Sequence, residues 1–108
     1  MPRLTIVRYT AKPGRAEENE ALSRAVFAEL RQTQPAGVAY TLCRAGDAFT
    51  HVFINFADDS SDAVTELPSF KAFSADATDR YTAPPETIRA SVDVVEAYGF
   101  ERTPAAVA

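Results

Sequence analysis

Two rhythms of apolar residues alternate along this chain. Leu4 to Thr10 (LTIVRYT) is dense in β-branched and aromatic residues and predicts a strand. Lys12-Pro13-Gly14 stops it, because proline fixes φ and glycine relaxes the steric limits. RAEENEALSRAVFAELRQTQ then sets Leu22, Ala25, Val26, Phe27 and Leu30 at helical spacing. Glu17, Glu18 and Glu20 near its start and Arg31 near its end suit the helix dipole, and Pro35 and Gly37 end it.

The period then returns to two. Val38 to Arg44 and Phe49 to Phe56 flank Ala45-Gly46-Asp47, a length and chemistry that predict a hairpin. ADDSSD reads as a polar loop. ELPSFKAFSADATDRYT predicts a second helix, with Pro68 at an early position and Phe70, Phe73 and Ala77 on one side. Ala83-Pro84-Pro85 breaks it, a last strand is expected through TIRASVDVVEAYGF, and ERTPAAVA is expected to be a flexible tail. The order is strand, helix, strand, strand, helix, strand. It predicts an α+β domain over residues 1–100: the ferredoxin-like βαββαβ arrangement, a four-stranded antiparallel sheet with two helices on one face.

Alternation sorts each strand into two faces. Val52, Ile54 and Phe56 share a side with Thr50, whereas Phe49, His51, Phe53 and Asn55 share the other. In the last strand Ile88, Ala90, Val92 and Val94 oppose Arg89, Ser91, Asp93 and Val95. The purely apolar sets are expected beneath the helices. The set with Phe49 and Phe53 would then lie on the open side, where a second copy of the chain, sheet against sheet, would cover it. That enclosed space would hold His51, the only histidine, among apolar walls, as in a small-molecule pocket. The plainer reading of His51 is a hydrogen-bonded interface residue.

Composition narrows the chemistry. A net charge of −4 and a pI near 4.9 disfavour a nucleic-acid partner; Arg3, Arg8, Lys12 and Arg15 are followed by acidic residues, which reads as a mixed-charge solvated surface. No apolar run approaches the ~20 residues of a membrane span. The start does not resemble a secretory signal, so a cytoplasmic location is expected. Cys43, the sole cysteine, reads as a small buried residue. One histidine and one cysteine make no typical metal shell, and Asp58, Asp59 and Asp62 lack calcium-loop spacing. No glycine-rich phosphate motif stands among the four glycines, so no cofactor is expected. Tyr98-Gly99-Phe100 is expected to end the last strand and pack on the partner copy.

Three stretches carry a resemblance. IVRYTAKPGRAEENEALSRAVFAEL, HVFINF and ELPSFKAF resemble the first strand and long helix, the third strand, and the short second helix of the dimeric α/β-barrel superfamily, within it the antibiotic-biosynthesis-monooxygenase-like domains. The resemblance covers roughly residues 4 to 100. It implies a homodimer whose sheets form a barrel, with a ligand cavity in each subunit between sheet and helices. It also implies, for some relatives, oxygenation of polycyclic phenols or quinols without metal or flavin, the substrate reacting as an anion. The chain departs from the pattern: it has no tryptophan after the third strand, and Ala63-Val64-Thr65-Glu66 stand where many relatives have a histidine. The asparagine and helical histidine of haem-degrading relatives are also missing, which argues against that activity.

Two readings follow. The first is a cofactor-independent monooxygenase acting on an aromatic or quinol-like small molecule. His51 and Asn55 would be its catalytic pair, and Tyr9, Tyr40, Phe49, Phe53, Arg89 and Asp93 would meet the substrate. The second is a non-catalytic homodimeric module that binds a small apolar or aromatic molecule, or serves as a scaffold.

Overall fold

The computed structural model describes residues 2–56 and 63–99. The elements are β1 (Arg3–Thr10), α1 (Ala16–Thr33), β2 (Val38–Ala45), β3 (Ala48–Asn55), α2 (Pro68–Ser74), α3 (Ala77–Arg80) and β4 (Glu86–Ser91). The strands form one antiparallel sheet in the order β2-β3-β1-β4, and the helices cover one face of it, the expected ferredoxin-like α+β architecture. The ADDSSD segment and the residues beyond 99, where the polar loop, Phe100 and the tail were expected, lie outside the described residues.

The β2–β3 connection shrinks to Gly46-Asp47, with Gly46 at φ 62, a conformation that costs glycine nothing. Helix α1 ends where Gln34 turns left-handed (φ 46) and its N–H returns to Leu30 O. The predicted second helix divides into α2 and the single turn α3. Pro68 opens α2, and the Glu29 carboxylate, reaching over from α1, accepts from Ser69 N at 3.0 Å and Ser69 Oγ at 2.6 Å. A carboxylate suits the positive end of a helix.

The register sets the faces and corrects two expectations. Tyr40, Phe53, Thr5 and Arg89 form one cross-strand row, and Leu42, His51, Val7 and Thr87 the next. These rows look toward the helices: Phe49, His51 and Asn55 are buried, and Phe73 of α2 lies 5.8 Å from the His51 ring. The opposite rows, Ala39-Ile54-Leu4-Ala90 and Thr41-Val52-Ile6-Ile88, carry the purely apolar sets, and they face away from the helices. The expected assignment is therefore inverted. Both faces are apolar, and on the buried face Tyr9, His51 and Tyr40 bond to one another, so polarity alone does not mark the open side.

The last strand is also shorter than expected. It stops at Ser91, with Val92 N still reaching Pro2 O at 2.9 Å; Val95 and Tyr98 are exposed, at 91% and 86%. Cys43, expected to be buried, is exposed on the open face of β2 opposite Thr50. Likewise α1 buries Ala16, Asn19, Ser23 and Val26, whereas Ala25 is exposed. The core stripe of this helix therefore runs through two polar residues.

Core energetics centre on Phe49, which is only 1% exposed and stacks on Tyr9 at 5.5 Å. Replacing Phe49 with alanine should cost about 3–5 kcal/mol in urea unfolding. Val95→Ala should change stability by less than about 0.5 kcal/mol.

Candidate functional site

Beneath the helices a continuous chain of side chains crosses the core. Arg80, fully buried, donates from Nε to Asn19 Oδ1 at 2.9 Å, from Nη1 to Asp76 Oδ1 at 2.7 Å and from Nη2 to the Phe73 carbonyl at 2.7 Å. Asn19 Nδ2 donates to the Tyr9 hydroxyl at 2.7 Å. The Tyr9 hydroxyl stands 2.7 Å from His51 Nε2, and His51 Nδ1 stands 2.6 Å from the Tyr40 hydroxyl.

The backbone explains why these groups meet. Asn19 comes from the core stripe of α1; Tyr9, Tyr40 and His51 alternate inward on β1, β2 and β3. Lys12 N bonds Arg80 O at 2.7 Å and Thr82 N bonds Thr10 O at 2.9 Å, which pins α3 to the end of β1. Tyr81 is thereby stacked on Tyr9 at 3.9 Å, closing the chain against water.

The direction of the chain follows from the capacity of each group. A guanidinium can only donate, so Asn19 turns its oxygen to Arg80 and its amide nitrogen to Tyr9. The Tyr9 oxygen accepts there, which leaves its proton for His51 Nε2. A neutral imidazole that accepts at Nε2 carries its hydrogen on Nδ1, and that hydrogen goes to the Tyr40 oxygen. Tyr40 is then the last donor of a series that begins at a cation.

Burial fixes the protonation states. It pushes His51 down to about 4, so the ring is neutral at pH 7. Burial also raises the Tyr9 phenol, against the opposing hydrogen bond from Asn19, and raises the Tyr40 phenol, so both keep their protons. Tyr81 is raised chiefly by burial too, with the contacts to Tyr9 and Arg80 working against it.

Tyr40 has a second role. With Glu20, Arg24, Phe27, Arg31, Thr41, Leu42, Arg44 and Phe49 it lines a groove of about 330 Å³ between α1 and the edge strand β2. That volume is at the lower end of small-molecule sites (~300–1,000 Å³). Phe27 and Tyr40 form a wall, their rings 4.6 Å apart, and the Arg44 guanidinium lies 5.5 Å over Phe49. His51 does not line this groove; it reaches it through Tyr40.

Of the residues singled out in the sequence, Tyr9, Tyr40 and His51 are hydrogen-bonded together, and Phe49 and Phe53 pack around them, Phe53 edge-on to Tyr40 at 5.7 Å. Asn55 is buried at the far end of β3. Arg89 and Asp93 are not brought to the groove. Arg89 is exposed on β4, beyond the helices, and Asp93 is exposed past the end of that strand. Asn19, Ser23 and Arg80 also belong to the site, buried polar residues that the sequence pattern does not single out: Asn19 and Arg80 have partners far away in the chain, and Ser23 bonds the Asn19 carbonyl. One signal was present: Ala16, Asn19, Ser23 and Val26 share a helical stripe. Among the described residues, no group of three or more His, Cys, Asp or Glu side chains is placed to hold a metal, and no helix is long and apolar enough to cross a membrane.

The assigned tautomer predicts that ¹⁵N NMR at pH 7 finds His51 protonated at Nδ1 and bare at Nε2. Because the folded value lies below the unfolded ~6.5, the unfolded state binds the proton more readily. The resulting stability is intact above about pH 6.5 and is lost as pH falls toward about 4, a total of about 3 kcal/mol. Chemical denaturation between pH 7 and 4.5 should show wild type losing more stability than His51→Gln; equal losses would contradict the assignment.

No known protein-family model matches this chain, and no curated protein matches it either. Solved structures do. Rv0793 from Mycobacterium tuberculosis superposes with a TM-score of 0.74 at 19% identity, covering 89% of this chain and 100% of that one. A "putative antibiotic biosynthesis monooxygenase" from Caulobacter crescentus gives 0.71 at 19% identity, covering 88% of this chain and 91% of that one. PA3566 from Pseudomonas aeruginosa gives 0.69 at 23% identity, covering 86% and 95%. This chain thus shares its fold with these solved structures, among them a protein named as an antibiotic biosynthesis monooxygenase.

Proposed function

We propose that this protein is a cofactor-independent monooxygenase that acts on an aromatic or quinol-like small molecule held in the α1–β2 groove. The observation that carries this reading is Tyr40: one side of it lines an aromatic-walled groove, and its hydroxyl ends the hydrogen-bonded chain from Arg80. The shared fold with proteins named for antibiotic biosynthesis monooxygenases supports the same class.

The chemistry asks little of the protein beyond stabilising an anion. A substrate with a methylene activated by flanking rings and a carbonyl loses a proton to solvent and becomes an enolate. Its oxygen accepts from the Tyr40 hydroxyl, which acts as an oxyanion donor. The carbanionic carbon bonds to dioxygen and yields a hydroperoxide after protonation. Cleavage of the O–O bond with loss of water leaves a carbonyl, so R₂CH₂ and O₂ become R₂C=O and H₂O. His51 is a positioning residue here: it holds the Tyr40 oxygen as an acceptor so that its proton turns outward.

A second copy of the chain completes the assembly in this reading. The open face carries Leu4, Ile6, Val52, Ile54 and Ile88, the last 55% exposed in a single copy. Contiguous apolar surface of this kind favours self-association through a two-fold contact. The non-catalytic binding module is favoured by one observation, that both nitrogens of His51 are engaged and the ring stands outside the groove.

Oxygen uptake with anthrone- and quinol-type compounds separates the two readings. Wild type should consume oxygen, and Tyr40→Phe should lower kcat about 10²-fold, the loss typical of an oxyanion donor. Saturable binding without uptake would favour the module. Sedimentation at micromolar concentration should find dimers, and Ile88→Asp should raise the dissociation constant at least ~10-fold; a stable wild-type single copy would remove the assembly.

A further inference from the structure

We propose that the α1–β2 groove selects planar aromatic carboxylates over their uncharged counterparts, with Arg31 as the group that pairs with the carboxylate. This rests on the groove as the binding site of the proposed function, although not on the oxygenation itself.

The stripe of α1 that faces the groove is Glu20, Arg24, Phe27 and Arg31, at spacings of four, three and four residues. Across from it stand Tyr40 and Arg44 of β2. Three guanidinium groups therefore share the lining with one carboxylate, in a chain whose overall charge is −4. Such a local excess of positive charge attracts anions to a cleft.

The three arginines are not equivalent. Arg44 is committed, its Nη1 at 2.9 Å from Glu20 and its Nη2 at 2.8 Å from Glu17. Arg24 holds the other oxygen of Glu20 through Nε at 3.0 Å. Glu20 is thus shared by both, and its carboxyl is held below its ordinary range, first by Arg44 and then by Arg24. Among the described residues Arg31 has no ion-pair partner, and it stands in the last turn of α1 with its planar fork available. A guanidinium fork matches a carboxylate with two parallel hydrogen bonds.

The rest of the groove specifies the body of the ligand. Phe27 and Tyr40 offer ring faces, and the Tyr40 hydroxyl is a donor for a ring oxygen. A compact fused-ring acid with a phenol or keto oxygen away from its carboxylate satisfies both ends. In the proposed reaction, the carboxylate would anchor the substrate while the ring oxygen meets Tyr40.

Titration calorimetry with 6-hydroxy-2-naphthoate, whose hydroxyl lies at the opposite end of the ring system from its carboxylate, and with its carboxamide, on the wild-type protein, tests this. The acid should bind about tenfold more tightly than the amide, the scale of one charge-assisted pair at a partly exposed site. Arg31→Gln should abolish that difference while leaving amide affinity within twofold, and Lys12→Gln, which removes the same charge elsewhere, should preserve it. Added salt should shrink the difference. Equal affinities for acid and amide, or a preference that survives Arg31→Gln, would overturn the inference while leaving the groove as a binding site. Absence of binding by both compounds would overturn it together with the groove. Preferential acid binding without oxygen uptake would support it and count against the oxygenase reading alone.

Discussion

The burial of Arg80 is the constraint on which the site depends. An ion of that size taken out of water costs several kcal/mol unless its donors are met. Here they are met from three directions, by an amide oxygen, a carboxylate and a backbone carbonyl. Each partner lies on a different piece of chain, α1, the turn before α3, and α2, so satisfying one guanidinium holds three elements together. Phe73 adds its ring face, 4.9 Å from the guanidinium carbon. Because a guanidinium never accepts, it also sets the sense of each later hydrogen bond. A neutral residue at this place could fill the space, but it would leave the Asn19 amide able to flip, and with it the donor at Tyr40.

The sheet divides its two faces between different tasks. On the covered side aromatic rings and hydrogen bonds surround Tyr9 and His51. On the open side the rows of Leu4, Ile6, Val52 and Ile54 are simply aliphatic. The groove forms at the edge strand β2 because α1 does not close completely over it, so Tyr40 can be solvent-facing on one side and bonded to His51 on the other. A tyrosine in the middle of the sheet could not play both parts. Position on the edge is therefore as important as residue type.

Much of the fold was legible because it follows from spacing. The turn residues around Gly14, Gly37 and Gly46 and the change of period from 3.6 to 2 located the first four elements within a few residues. The grouping of Phe49, His51, Phe53 and Asn55 on one face was also correct, since alternation dictates it. What alternation does not contain is which group the helices cover. Two apolar faces satisfy the same period, and only the contact with α1 and α2 decides. The candidate site was half visible for the same reason. Aromatic residues and a lone histidine attract notice in a strand, whereas Asn19, Ser23 and Arg80 look like surface residues until a partner from distant sequence is known. Strand length failed at β4, where Val92 and Val94 continue the alternation but have no neighbouring strand to bond along their length.

The route by which polarity in the core reaches the groove has a physical consequence. Among the described residues, the tyrosine–histidine chain carries core polarity to the groove, through the Tyr40 hydroxyl. Its usefulness depends on His51 being neutral. A protonated imidazole would donate from both nitrogens. Tyr9 would then have to accept from His51 and from Asn19 together, and its own proton would lose its place in the chain. The depressed pKa, near 4, keeps that conflict well below neutral pH. Desolvation thus does more than lower a number: it preserves the one arrangement in which Arg80, about four side chains away in the series, can bias the Tyr40 hydroxyl to donate rather than accept.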